Sequence, residues 1–382
     1  MTEEATMRSF LRSRVGSTVR RGLRSRVVAA LAAPHGVDRY LEHLNPMWTV
    51  HEVRARVVDV QHRTARSVTI RLRPNGTWNG FRAGQYVRFG VDVNGVLMQR
   101  FFSPASSAHD TAEVEITVAS NPAGTVSSYL RENARPGTVM TMSQARGVFS
   151  LPERRPQRLL LISGGSGITP VMSMLRTLCH ENHAGRITFL HYAKSAREVV
   201  YGDELRELSR RYPNVEVHKV FPARERGGDL HGPFGIGHLL EAAPDFRTSP
   251  TYLCSGSRLR QAVRDLWAQQ GIDDLLHTEL FALDAACPAS RNAGQVAIDQ
   301  GVVRLSRSAV AVPAREGTLL DHAEAAGAKP RYGCRMGICH TCTTRKISGS
   351  VGNLLTGAVS DGQDENIQLC VSVPHGDVLL DM

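Results

Sequence analysis

Ser163-Gly164-Gly165-Ser166-Gly167-Ile168-Thr169-Pro170 follows the apolar run Leu159–Ile162 and leads into the helix-like stretch Thr169–Cys179. Glycines let a backbone approach a pyrophosphate closely, and a helix N-terminus offers unpaired N–H groups and a positive dipole end. Pro170 suits the first helical turn. The pattern is not G-x-G-x-x-G, so the standard dinucleotide fingerprint is absent. Alone, such a turn is equally a plain tight turn, so its surroundings decide. Leu159–Ile162, Ile187–Tyr192, Val215–Phe221 and Tyr252–Cys254 read as strands. Thr169–Cys179, Gly202–Arg210 and Ser257–Gln270 read as helices between them. This alternation predicts a parallel α/β sheet over residues 154–287.

Upstream the pattern changes. Val53–Val60, Val68–Leu72, Tyr86–Val93, Val114–Ala119 and Val139–Met142 are short and β-branched, broken by Gly, Pro and Asn. They predict an antiparallel β-barrel over residues 51–153. Residues 1–50 form a leader in which Leu11, Val15, Val19, Leu23, Val27 and Leu31 recur every fourth position among seven arginines. A basic amphipathic segment of this kind, residues 8–33, can lie on an anionic membrane surface. A solvated arm or a helix packed on its own protein remains open, and an Arg-rich, acid-poor leader also mimics a transit peptide. Pro34-His35-Gly36 ends the basic stretch, and a second short segment runs to Asn45-Pro46.

Downstream, Cys334-Arg-Met-Gly-Ile-Cys339-His-Thr-Cys342 reads C-x4-C-x2-C, and Cys370 follows after 27 intervening residues. This is the spacing of a plant-type [2Fe–2S] centre, with Cys334, Cys339, Cys342 and Cys370 as its ligands. Zinc would usually take a second short Cys pair, and the isolated fourth cysteine does not supply one. His340 reads as a loop residue, because a Rieske centre replaces two cysteines with histidines and all four cysteines are present. Residues 288–382 are therefore expected to form an α+β ferredoxin domain with a helix near Thr318–Ala326.

Length and composition agree with several domains. The chain has 382 residues, 42% of them hydrophobic, which is ordinary for globular protein. The longest uninterrupted apolar stretch, Val27 to Ala33, is far too short to span a bilayer. With four of the seven cysteines assigned to iron, a reducing, cytoplasmic compartment is expected over a disulfide scaffold. The net charge is +10. The leader carries much of it, whereas residues 290–382 balance nine basic against nine acidic side chains. No nucleic-acid motif accompanies the charge.

Two further motifs lie in the barrel region: Arg100-Phe101-Phe102-Ser103 at a strand end, then Gly124-Thr125-Val126-Ser127-Ser128-Tyr129-Leu130. With these the chain resembles the ferredoxin–NADP reductase superfamily, whose flavin motif is R-x-Y-[ST] followed by a G-x-x-S phosphate turn. The resemblance implies that Arg100 binds flavin phosphate and that Ser103 sits near the flavin's reactive edge. It also implies that Gly124, Val126, Ser127 and Ser128 face the pyrophosphate. Phe102 replaces the family tyrosine, keeping a ring for stacking and losing a hydroxyl. Gly84-Gln85-Tyr86 is similar to the family's P-G-Q-Y turn, with Ala83 in place of proline. Tyr252-Leu253-Cys254-Ser255-Gly256 resembles Y-x-C-G-P, which implies that Cys254 lies beside the nicotinamide. Glu279-Leu280-Phe281 matches the terminal E-x-F. Gly164, Gly165, Gly167, Thr169 and Pro170 then become the nucleotide turn, with Ser103, Cys254 and Glu279 around the reacting rings and Phe281 as a cofactor contact. Without the resemblance, Arg100 is equally a solvated strand end, and Cys254 a buried core cysteine.

The expected architecture is thus multidomain: an antiparallel β-barrel for flavin, a parallel α/β domain for nucleotide, and a β-grasp ferredoxin domain. A nicotinamide gives two electrons as hydride, a cluster accepts one, and a flavin bridges the two. The turn at Gly124–Ser128 suits a second phosphate, hence FAD over FMN. After the second strand of the nucleotide domain no acidic residue appears before Glu198, and Ser195 with Arg197 suits the 2′-phosphate of NADPH. NADH stays open. The electron acceptor is expected to be a separate protein. The whole chain, including Tyr40–Pro46, most resembles actinobacterial reductases of membrane fatty acyl-CoA desaturases, which implies contact with the inner face of the membrane. A reductase of a soluble ring- or steroid-hydroxylating oxygenase is the second reading, and an iron–sulfur redox sensor the third, although no output module is visible for it.

Overall fold

The computed structural model describes residues 28, 32, 36–93, 96–120, 125–223, 227–280, 301–315, 317–332, 337, 340–354 and 358–382. The chain divides into two compact units, Met1–Glu279 and Leu280–Met382. Most of the leader, and the junction around Pro288, lie outside the described residues.

The first unit opens with helix α1 (Val37–Leu44). The Asp38 carboxylate accepts from the backbone N–H groups of Val50, His51 and Glu52 at 2.6, 2.9 and 3.1 Å. Six strands follow: β1 (Val53–Thr64), β2 (Ser67–Pro74), β3 (Val87–Val93), β4 (Val96–Phe102), β5 (Val114–Ala119) and β6 (Val139–Met142). They form an antiparallel sheet in the order β4-β3-β6-β1-β2-β5. Alternation builds its core. In β1, Val53, Ala55 and Val57 are buried and the intervening arginines are not, the two-residue period of a half-buried strand. A bridge from Pro104 to Ile116 draws the chain beyond β4 onto β5, so the sheet curls toward a barrel. Helix α2 (Thr125–Asn133) drops Val126 and Leu130 into this core.

The expected parallel α/β layer follows. It contains β7 (Arg158–Gly164), α3 (Ile168–His180), β8 (Arg186–Tyr192), α4 (Gly202–Arg211), β9 (Val215–Phe221), β10 (Leu230–His231), α5 (Ile236–Ala242), β11 (Thr251–Ser255), α6 (Ser257–Gln270) and β12 (Leu276–Leu280). The strand order is β10-β9-β8-β7-β11-β12, with β10 through β11 mutually parallel. The central strands are apolar runs because helices cover both faces. Leu160, Ile162, Leu190 and Leu253 pack with Phe246 and Trp267 on one of those faces. The order reverses between β7 and β11, and ligands in such sheets bind outside the carboxyl ends of strands at that switch.

The second unit holds β13 (Val302–Leu305), β14 (Val310–Pro313), α7 (Leu319–Ala325), β15 (Thr343–Asn353), β16 (Val359–Ser360), β17 (Glu365–Gln368) and β18 (Ser372–Leu380). Its sheet runs β14-β13-β18-β15-β16, with β17 on β15. β13 and β18 are parallel, and their neighbours antiparallel. Leu319 and Leu320 of α7 pack into the core, and Thr318 with Asp321 forms a capping box at its start. This is the expected β-grasp arrangement. Lys346 is fully buried beneath it, donating to the carbonyls of Gly349 and Ser360 at 2.8 Å each and pairing with Glu365 at 3.2 Å.

Candidate functional site

The glycine turn stands at the carboxyl end of β7. Gly165–Gly167 makes one 3₁₀ turn that runs directly into α3. Neither helical start has a side-chain cap; the Ile168 N–H turns back to the carbonyls of Gly165 and Ser166. Gly165 has φ +54 and is exposed. Gly167 is buried, and an added Cβ would overlap the carbonyl of Cys254. Thr169 and Pro170 are buried in the first turn and fix its entry. An exposed left-handed glycine with open space around it, leading into a helix start without a side-chain cap, fits the close approach of a pyrophosphate.

Cys254, next to last in β11, lies beside this turn and is fully buried. Burial, reinforced by the charge of Glu279, pushes its thiol well above the ordinary range, so it stays protonated at neutral pH. It can offer contact but not a nucleophile. Glu279 is half-buried on β12. Tyr252, two residues before Cys254, stacks on His277 at 4.7 Å and meets Phe149 edge-on at 5.9 Å. Behind the turn, Ser163 Oγ lies 2.8 Å from His191 Nδ1. His191 is buried, and desolvation lowers its pKa to about 4. Ser195 is half-buried and Arg197 exposed, both just beyond β8.

On the barrel side, Arg100 and Phe102 lie at the end of β4, and Ser103 follows, 2% exposed. Arg100 Nη1 donates to the Gln99 carbonyl at 2.7 Å. The ring of Phe102 is buried and packs on Phe89 at 6.0 Å. The half-exposed aromatic at this strand end is Phe101, edge-on to Tyr86 at 5.3 Å. Sequence reasoning passed over Phe101, although alternation in a strand sends consecutive side chains to opposite faces. Val126, Ser127 and Ser128 occupy the first turn of α2. The Val126 side chain is core, so only its backbone is free to serve a phosphate. Gly84 has φ +101, and a Cβ there would strike Met174 of α3 and the Phe149 carbonyl. The Gly84-Gln85-Tyr86 turn thus lies against the nucleotide helix. Gly124 and Phe281 lie outside the described residues.

In the second unit, Cys342 and Cys370 are buried and adjacent. Gly337 N–H donates to Cys370 Sγ at 3.3 Å, and Cys370 N–H to Cys342 Sγ at 3.5 Å. Gly337 has φ +73, and Gln368 Nε2 donates to its carbonyl at 2.7 Å. Backbone N–H groups aimed at sulfur suit thiolates that carry the charge of an iron–sulfur cluster. Cys334 and Cys339 lie outside the described residues.

Three family models match the chain in order. They are an oxidoreductase FAD-binding domain over residues 56–150, an oxidoreductase NAD-binding domain over 161–262, and a 2Fe-2S iron–sulfur cluster binding domain over 303–375. The chain is 34% identical over 362 residues to the NADPH oxidoreductase of Mycobacterium tuberculosis, covering 94% of this chain and 91% of that one. It is 28% identical over 319 residues to the glycine betaine monooxygenase reductase subunit of Pseudomonas aeruginosa, covering 79% and 87%. Among solved structures, phthalate dioxygenase reductase superposes with a TM-score of 0.60 at 22% identity, covering 87% of this chain and 98% of that one. The chain belongs to the ferredoxin–NADP reductase family of flavoproteins with a C-terminal [2Fe–2S] ferredoxin domain, and it is an NAD(P)H-dependent oxidoreductase that uses FAD.

Proposed function

We propose that the protein draws hydride from NADPH and delivers single electrons to an oxygenase-type partner, a membrane fatty acyl-CoA desaturase in the first instance. The uncapped glycine turn beside Cys254 carries this reading, because it gives the nucleotide a seat in the same unit as the flavin strand. A bound flavin would supply the conversion between the two-electron hydride chemistry of the nicotinamide and the one-electron chemistry of the cluster. The residues of the chain bind and orient. Gly164, Gly165, Gly167, Thr169 and Pro170 seat the nucleotide pyrophosphate. Arg100, Ser127 and Ser128 hold the flavin phosphates, with the backbone of Gly124 and Val126. Ser103, Cys254 and Glu279 border the reacting rings, and Phe281 is a cofactor contact. Ser195 and Arg197 favour the 2′-phosphate. Cys334, Cys339, Cys342 and Cys370 bind iron. The domains extend over residues 51–153, 154–287 and 288–382, behind a basic leader of residues 1–50.

The arginine-rich leader supports a membrane-bound acceptor, with the protein held at the inner face of the bilayer through residues 8–33. No helix among the described residues is long and apolar enough to cross a membrane. A reductase of a soluble oxygenase is the second reading, supported by the likeness to a monooxygenase reductase subunit.

Two measurements test the proposal. The purified chain should show flavin and [2Fe–2S] absorbance that NADPH bleaches faster than NADH. Zinc in place of iron would end the electron-transfer reading. In anionic liposomes holding a desaturase, removal of the basic leader should lower coupled turnover. Equal coupling with and without the leader would favour the soluble partner.

A further inference from the structure

Helix α3 begins at the glycine turn and, farther along, grips the chain that leaves the flavin strand. Ser173, Arg176 and Thr177 share one face of it, at the i, i+3, i+4 spacing. Ser173 Oγ donates to the Ser106 carbonyl at 2.7 Å, and Thr177 Oγ1 accepts from the Ala108 N–H at 2.9 Å. Arg176 Nη1 donates to the Ala105 carbonyl at 2.8 Å and to Glu115 at 2.7 Å. Its other nitrogens hold Glu204 at 2.6 Å each, and its guanidinium lies 4.9 Å from the centre of the Tyr201 ring. Tyr201 in turn meets Thr117 Oγ1 at 2.5 Å and donates to Glu115 at 3.3 Å. Ala105 is two residues beyond Ser103, and Arg176 is nine beyond Gly167, about 13 Å along a helix.

An apolar seam would hold these layers together without fixing their register. Here three side chains of the nucleotide helix end on main-chain atoms of residues 105–108, and directional bonds fix both distance and angle. We propose that Arg176, with Ser173 and Thr177, is a positioning residue that sets the nicotinamide turn against the flavin strand for hydride transfer. The proposal rests on the reading of those two motifs as the nucleotide and flavin sites. Misplacement by a fraction of an ångström to one ångström is enough to slow such a step.

The test uses the full chain with Arg176→Lys, Arg176→Leu and the milder pair Ser173→Ala/Thr177→Val, which leaves Glu115 and Glu204 paired with Arg176. Hydrogen exchange at residues 105–108 is read in flavin-free protein. Charge-transfer absorbance with NADP+ and the limiting rate of flavin reduction are read in loaded protein. The milder pair should speed exchange, weaken the charge-transfer band and lower the limiting rate about 10-fold. Its FAD content should stay unchanged and its NADPH KM within about twofold. Arg176→Lys should fall between wild type and Arg176→Leu. Faster exchange with an unchanged band and limiting rate would reduce the seam to a structural contact and overturn the proposal. A wild-type flavin that NADPH fails to reduce would overturn the underlying reading first, and the proposal with it.

Discussion

The carbonyl oxygen of Cys254 occupies the place that a side chain on Gly167 would need. The nucleotide turn is therefore laid directly on the end of β11, main chain against main chain. Gly167→Ala must push one backbone away from the other. It should cost about 1–3 kcal/mol of stability and weaken NADP+ binding more than FAD binding. Gly165→Ala meets open space and should cost only the left-handed backbone strain, about 1 kcal/mol. Thermal melts and NADP+ titrations rank the two, and a reversed order would refute the close-approach reading.

Cys370→Ser should remove the cluster and spare the flavin. Iron content and visible absorbance should fall to background, while NADPH still reduces the flavin at the wild-type rate. Loss of both reactions together would mean that the two units do not function separately.

The main elements were legible from period and punctuation. Short β-branched runs broken by Gly, Pro and Asn marked most barrel strands, and apolar runs separated by helical stretches marked the parallel sheet. β10, with two residues, and β12, at the end of the layer, were too short or too polar to stand out. The site motifs were readable because their residues are contiguous. The Arg176 seam was not, since its partners lie 28 to 71 positions away. Nor could contiguous letters say which of Phe101 and Phe102 faces inward.

That last distinction is measurable. Phe101→Ala should loosen FAD retention about 10-fold, the loss of one aromatic contact. Phe102→Ala should chiefly destabilise the barrel, by about 3–5 kcal/mol. FAD dissociation constants and urea midpoints separate the two effects. The reverse assignment would return the stacking role to Phe102.

Acid should act in two windows. His191 is held neutral by burial, with a pKa near 4 against an ordinary 6.5. The unfolded chain takes up that proton first, so this contribution is complete above pH 6.5 and is lost as pH falls toward 4, by up to about 3 kcal/mol. Glu181 is held near 2, chiefly by its hydrogen bond from Arg155 and also by His109. Its contribution is present above about 4.5 and is lost as pH falls toward 2. His191→Gln should flatten the upper window and leave the lower slope. Urea midpoints between pH 3 and 8 (a range set by the two windows) would show it, and an unchanged upper slope would exclude His191 as the source.

Arg197 is exposed beyond β8, where a 2′-phosphate would sit. Arg197→Ala should lower kcat/KM for NADPH about 10- to 100-fold, the worth of one charge-assisted bond. The value for NADH should hardly move. An equal loss for both nucleotides would remove Arg197 from the specificity question.

The hold of Asp38 on three N–H groups ahead of β1 also decides where the leader can be severed. A cut after Asn45 would take this carboxylate away from the N–H groups of Val50, His51 and Glu52, just ahead of β1. Any loss of turnover would then mix damage to the barrel with loss of the arginines. A cut before Gly36 removes the seven arginines of residues 8–33 and keeps the Asp38 hold intact. It is the truncation that separates anchoring from folding.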